Sequence, residues 1–93
     1  MALSGTGISS TTPHEVDLSW NVPKGPLDQL AGYNIYRSAS GYSFQLLNLT
    51  PNPQTVYVDS TVESGTSYSY MVKSVDLTGV ESDPSNEAAV LMP

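Results

Sequence analysis

From residue 68 to residue 75 the chain alternates without a break, with Tyr68, Tyr70, Val72 and Ser74 on one side and Ser69, Met71, Lys73 and Val75 on the other. Side chains of a strand point to opposite faces with a period of two, whereas a helix brings neighbours together at about 3.6-residue spacing. The run therefore reads as a strand, and its length marks it as a central one. A second alternation, Glu15-Val16-Asp17-Leu18-Ser19-Trp20, sets Val16, Leu18 and Trp20 on one face and Glu15, Asp17 and Ser19 on the other, a half-buried strand. Helix signals are poor. The one segment that might start a helix, Pro26-Leu27-Asp28-Gln29-Leu30-Ala31, is cut by Gly32 and hemmed in by Pro23 and Pro26, so it reads as loop.

Further strand signals recur between turn residues, the pattern of a sandwich. In Tyr33-Asn34-Ile35-Tyr36-Arg37, Tyr33 and Ile35 share a face and Asn34 and Tyr36 the opposite one. Gly41 marks a turn, and residues 44–49 form a less regular strand ended by Pro51 and Pro53, which cannot donate to a ladder. Residues 55–59 make a short strand, followed by the corner Val62-Glu63-Ser64-Gly65. Asp76-Leu77-Thr78-Gly79 is a reversal with Gly79 available for positive φ, and the return strand over residues 86–92 is expected to bury Ala88 and Val90. Residues 1–10, rich in Ser, Thr and Gly, read as a linker or a frayed first strand, and residues 11–93 as the folded domain. The expected core is Val16, Leu18, Trp20, Tyr33, Ile35, Tyr57, Val62, Tyr68, Tyr70 and Val72.

A chain of 93 residues with 39% apolar content supports one domain. A domain of this size buries only about 60 to 65% of its unfolded surface, so there is no room for a catalytic unit beside a binding unit. Cysteine is absent, which excludes a disulfide scaffold, a cysteine metal site and a thiol nucleophile without fixing the compartment. The three basic residues, Lys24, Arg37 and Lys73, are scattered among nine acidic ones for a net charge of −6, so neither nucleic acid nor a polybasic membrane contact is expected. The longest apolar run, Ala88-Ala89-Val90-Leu91-Met92, is far short of the about 20 residues a membrane helix needs. Residues 1–3 are followed at once by Ser, Gly and Thr rather than by a basic and then an apolar region, so no signal peptide is expected in this sequence.

Taken in order, Val16-x-Leu18-x-Trp20, Gly32-Tyr33-x-Ile35-Tyr36, Gly65-x-x-Tyr68-x-Tyr70-x-Val72 and Ser85-Asn86-Glu87 resemble the fibronectin type III family over residues 11–92. The resemblance implies an all-β, immunoglobulin-like sandwich of seven antiparallel strands in two sheets, three plus four, with termini at opposite ends. Val75-Asp76-x-x-Gly79-Val80-Glu81-Ser82 is most similar to bacterial members, which commonly link domains in secreted enzymes and surface proteins. Leu3-Ser4-Gly5-Thr6-Gly7 is similar to the closing strand of a preceding immunoglobulin-like domain, and the poor apolar content of residues 4–12 leaves a weak sheet edge there. In an immunoglobulin domain a disulfide joins the second strand to the sixth, two residues after a corner tyrosine. Here position 70 is tyrosine, and an apolar cluster is expected in place of the bridge. Tyr68 stands where its hydroxyl can bond to backbone at the corner, so Tyr68→Phe is predicted to cost about 1 kcal/mol or more.

Candidate chemical sites are sparse. His14 stands alone beside Pro13, and no Gly-x-Ser-x-Gly elbow is present; Gly65-Thr66-Ser67-Tyr68 does not supply one, so no serine-hydrolase triad is expected. Asp76, Glu81, Asp83 and Glu87 cluster near the end but match no calcium-loop spacing, and they read as a solvated acidic loop. Glu15, Asp17 and Asp59 read as surface carboxylates rather than a glycosidase pair, which needs a cleft. Asn48-Leu49-Thr50 fits the N-glycosylation sequon, and Arg-Gly-Asp is absent. Most aromatic residues fall on inward faces, leaving Tyr36 and Tyr42, with Phe44 beside them, as candidate exposed contacts.

The reading is a non-enzymatic module with no cofactor and no metal: a folded spacer or protein-interaction domain of a larger secreted or cell-surface protein, monomeric, with neighbouring domains as its partners. At about 3.3 Å per strand residue each unit would span roughly 30 to 40 Å. The alternative is a carbohydrate- or ligand-binding module of an extracellular polysaccharide-degrading enzyme, using loops 22–30, 38–44 and 77–82 to hold a glycan or protein ligand.

Overall fold

A computed structural model describes residues 3–8, 15–22, 29–48 and 50–92, with the side chains of residues 5–8 outside the description. The described residues form seven strands and no helix: β1 (Leu3–Ile8), β2 (Glu15–Trp20), β3 (Leu30–Ala39), β4 (Gln45–Leu46), β5 (Val56–Asp59), β6 (Ser67–Asp76) and β7 (Ala88–Leu91). Every pairing is antiparallel. One sheet has the order β1-β2-β5 and the other β4-β3-β6-β7, the three-plus-four sandwich expected from the sequence.

The two clean alternations fold as their period dictates. Val16, Leu18 and Trp20 turn inward from β2, and Tyr68, Tyr70 and Val72 from β6; all six are buried. Tyr33, Ile35 and Val62 are buried with them, while Tyr57 is half-buried and packs against the same cluster. Leu3, Val90 and Met92 complete it, and Ala88 lies against it half-buried. Trp20 and Tyr33 meet edge to face, centroids 5.4 Å apart at 69°, the arrangement the ring quadrupoles favour. Val75 is buried although its partners in the alternation face outward, because the chain returns over it and bridges back at Glu81.

Of the two readings of the N-terminal segment, linker or first strand, residues 3–8 take the strand. They pair with β2 from Leu3↔Trp20 to Ile8↔Glu15. Ladder formation needs only backbone groups, so the shortage of apolar side chains does not prevent it. Leu3 reaches the core, and the Asn86 side chain fixes it there: the Leu3 N–H donates to Asn86 Oδ1 at 2.9 Å and Asn86 Nδ2 donates to the Leu3 carbonyl at 3.1 Å. Asn86 thereby ties the start of β1 to the approach to β7 on the other sheet.

The strand expected over residues 44–49 shrinks to Gln45–Leu46. Beyond it the chain still follows β3, but Asn48 takes over the ladder. Its Oδ1 accepts from the Ile35 N–H at 2.9 Å, and its Nδ2 donates to the carbonyls of Tyr33 at 3.0 Å and Thr50 at 2.7 Å. Asn52, between Pro51 and Pro53, then exchanges two backbone bonds with Tyr33, at 2.9 and 2.8 Å. This segment crosses β3 so closely that a Cβ built on Gly32 would lie 2.8 Å from both the Asn52 carbonyl oxygen and Pro51 Cβ. No side chain fits there, which accounts for the glycine before Tyr33.

Candidate functional site

A cluster of side-chain hydrogen bonds around Asp59 spans the two sheets. Asp59, the last residue of β5, is 2% exposed, against the expectation that it keeps the surface wet. Its Oδ2 accepts from Tyr70 Oη at 2.7 Å and from Arg37 Nη1 at 2.9 Å. Its Oδ1 accepts from the N–H and hydroxyl of Thr61 at 3.0 and 2.6 Å. Arg37 also donates to Thr61 Oγ1 at 2.7 Å and lies 5.2 Å from the centroid of the Tyr68 ring. The signal for this placement was in the sequence: Tyr57 and Asp59 are two residues apart, so a strand that turns Tyr57 inward carries Asp59 with it.

The electrostatics of this cluster suit a tie rather than a catalyst. Burial alone would raise the Asp59 carboxyl, but the bonds from Thr61, Tyr70 and Arg37 outweigh it and hold the group below the ordinary aspartate range. Burial and the neighbouring Asp59 push the Tyr70 phenol far above its usual value. With four donors on its two oxygens, the carboxylate has no lone pair left to take a substrate proton. Position 70 thus lies in the apolar cluster expected there and is also tied across the sheets by a polar network.

Tyr68 makes the corner bond: the Glu63 N–H donates to its hydroxyl at 2.8 Å, five residues upstream. Gly65, with φ 77°, turns the chain between them.

Tyr36 and Tyr42, the candidate exposed contacts, behave differently. Tyr36 is half-buried and engaged. Its hydroxyl donates to Glu81 Oε2, which also accepts from Asn34 Nδ2 at 2.9 Å, and Lys73 Nζ lies 5.1 Å from its ring centroid. The Glu81 bond comes first in raising the Tyr36 phenol to about 12, and the bonds from Asn34 and Tyr36 lower Glu81 in return. Tyr42, by contrast, is 77% exposed and borders a shallow groove with Arg37, Ala39, Ser43 and Gln45. Phe44 is half-buried. Arg37 and Gln45 as groove residues were not foreseen, because they come to Tyr42 only through the geometry of the turn between β3 and β4.

Of the acidic loop, Asp76 is spent locally. Asp76 Oδ1 accepts from the Thr78 N–H and hydroxyl and from the Val80 N–H, at 2.9, 2.6 and 3.0 Å, which caps the reversal at Gly79 (φ 87°). The Thr78 hydroxyl and the Val80 N–H lead in holding its carboxyl below the usual range. Among the described residues no group of three or more His, Asp or Glu is placed to hold a metal ion. Glu15 is half-buried and Asp17 exposed on β2. His14 and loop residues 23–28 lie outside the described residues. Gly65 and Thr66 lead into β6, which Ser67 opens, and no helix follows them.

A three-plus-four antiparallel sandwich with a tyrosine corner and a buried link between its sheets defines the immunoglobulin-like class. No family model matches the chain. The crystal structure of a Fn3-like protein from Clostridium thermocellum superposes with a TM-score of 0.73 and 28% identity, covering 100% of this chain and 93% of that one. The chain has a fibronectin type III-like fold. It is also 36% identical over 84 residues to a poly(3-hydroxybutyrate) depolymerase from Ralstonia pickettii, covering 90% of this chain and 15% of that enzyme. It is 38% identical over 77 residues to an amylopullulanase from Thermoanaerobacterium thermosulfurigenes, covering 80% of this chain and 4% of that enzyme. The chain therefore spans a small fraction of the length of these relatives, and matches one part of each.

Proposed function

We propose that the domain is a non-catalytic folded spacer that holds its neighbours in a larger secreted or cell-surface protein at a fixed separation and angle. One observation carries this reading: the chain enters β1 beside the start of β7 and leaves beyond the other end of β7. Leu3 is fixed beside Asn86, just before β7 begins. The chain then runs the length of β7 to Met92, which bonds Gly65 and Thr66 at the far pole, at 2.9 and 3.1 Å. The principal extents are 40 × 23 × 21 Å, so the long axis lies within the range that strand rise alone suggests. The matches to small parts of a depolymerase and an amylopullulanase support the role of an accessory module. The extracellular setting rests on family resemblance, and the expected partners are the adjoining domains.

The test is a fusion carrying a fluorescent donor domain at one terminus and an acceptor at the other. A spacer gives a narrow distribution of transfer efficiency that broadens only when urea unfolds the module. A broad distribution in the folded state would overturn the reading, as would hydrolysis of glycan or ester substrates by the purified chain that is lost on unfolding.

A further inference from the structure

The Tyr42 side chain is the most exposed large apolar group in the described residues, yet three hydrogen bonds fix the turn that carries it. Ser40 and Gly41 have φ of 50° and 81°, and the Tyr42 N–H donates to the Ala39 carbonyl at 2.9 Å, which makes a type I′ turn. Ser40 is the only non-glycine residue at positive φ among the described residues, a conformation that side-chain sterics disfavour. Two further bonds hold the turn in place. The Ser40 N–H donates to the Ser67 carbonyl at 2.8 Å, and the buried Ser38 donates its hydroxyl proton to the Tyr42 carbonyl. None of this is needed to bury the ring, which contributes nothing to the core.

The groove beside the ring is equally fixed. Arg37 makes its bonds to Asp59 and Thr61 through Nη1, so its guanidinium is locked in position while also lining the groove. Gln45, paired with Arg37 across β3 and β4, and Ser43 add an exposed amide and hydroxyl. A rigid aromatic face with donors and acceptors at its edge is complementary to a ligand that has an apolar face and a rim of hydroxyls. A pyranose ring has that shape. The net charge of −6 opposes a polyanion, which leaves a neutral sugar.

We propose that the Arg37, Tyr42, Ser43 and Gln45 groove binds a neutral glycan, one pyranose ring stacking on Tyr42 with its hydroxyls bonded to Arg37 and Gln45. The proposal does not depend on the spacer reading, since a spacer can carry such a site. A single ring on an open groove gives weak affinity, with Kd of about 1 mM.

The experiment is an amide NMR titration of the 93-residue chain with maltohexaose and cellohexaose, an α- and a β-linked neutral glucose chain, and with tetragalacturonate as the anionic counterpart. Saturable shifts confined to residues 37–45 are expected with at least one neutral hexaose. Tyr42→Ala should weaken that binding at least tenfold and Gln45→Ala severalfold, with the spectrum otherwise unchanged because both side chains are exposed. Leu91→Ala, an exposed apolar residue elsewhere, should bind as the parent does. Absence of shifts with both neutral sugars would overturn the proposal. So would shifts that survive Tyr42→Ala, or tighter binding of the uronate.

Discussion

The Tyr70 hydroxyl donates to Asp59 Oδ2 at 2.7 Å, and this bond links β6 of one sheet to β5 of the other. Position 70 lies two residues after the corner tyrosine, where an immunoglobulin domain places one end of its inter-sheet disulfide. The covalent cross-link is replaced by a hydrogen bond to a buried carboxylate, and Arg37 supplies the balancing charge.

Removing either partner should therefore destabilise the fold by different amounts. Tyr70→Phe is expected to cost about 1.5 to 3 kcal/mol, the range for a bond to a charged group. Asp59→Ala is expected to cost about 3 kcal/mol or more, because it also strips Arg37 of its counter-charge. Urea unfolding measures both. The double variant should lose less than the sum of the two, and simple additivity would show that the bond makes no contribution of its own.

Acid should weaken the same link. Burial works to raise the Asp59 carboxyl, but the bonds from Thr61, Tyr70 and Arg37 prevail and lower it. The unfolded chain therefore binds more protons than the folded one in this range. The stabilisation is complete above the unfolded value of about 3.9 and is lost as pH falls through the folded value. Urea midpoints should be level between about pH 5 and 7 and fall below about pH 4. Asp59→Asn should start lower and decline less steeply, with Asp76 and Glu81, whose carboxyls are also lowered, supplying what decline remains. Identical slopes in both proteins would clear Asp59 of the effect.

At the corner, Tyr68→Phe keeps the buried ring and removes only the acceptor for the Glu63 N–H. A loss of about 1 kcal/mol is expected. Thermal unfolding checks it, and faster amide exchange at Glu63 would assign the loss to that bond.

Gly32→Ala tests the crossing of residues 51 and 52 over β3. The added methyl group would meet two atoms at 2.8 Å, one of them backbone. Overpacking of this kind costs about 1 to 3 kcal/mol. Amide chemical shifts should move at Asn52 and Tyr33, whose paired backbone bonds would have to open. A variant as stable as the parent, with those shifts unchanged, would contradict the close approach.

Asn48→Ala should cost about 1 to 3 kcal/mol, since it leaves the Ile35 N–H without its acceptor and the Tyr33 carbonyl with the Asn52 N–H alone. The same geometry bears on the sequon at residues 48–50. A glycan on Nδ2 would displace a donor that serves two carbonyls. Expressed through a glycosylating secretory route, the folded chain should carry Asn48 unmodified by mass spectrometry. A folded, fully glycosylated product of unchanged stability would refute this.

Legibility in the sequence followed the strength of the periodic signal. In β2 and β6 the apolar residues alternate strictly, so period alone assigned Val16, Leu18, Trp20, Tyr68, Tyr70 and Val72 to an inward face. It failed at β1, where backbone pairing and the Asn86 clamp do the work that apolar side chains do elsewhere. At β4 a side chain replaces the ladder, which no pattern of hydrophobicity records. Asp59 was misplaced because its charge argued for the surface, while its three partners, Arg37, Thr61 and Tyr70, were not yet known to converge on it. Tyr42 stood out as a spare aromatic residue, but its neighbours Arg37 and Gln45 became visible only with the turn that brings them together.

The tie at Asp59 also bears on how the module can be made. A disulfide-linked sandwich needs an oxidant, and sometimes an isomerase, before its two layers are locked. This one closes by proton-mediated contacts alone, so its assembly is indifferent to thiols. It can mature equally well in a reducing or an oxidising milieu, and a host cell would not need to sort its redox partners to produce it.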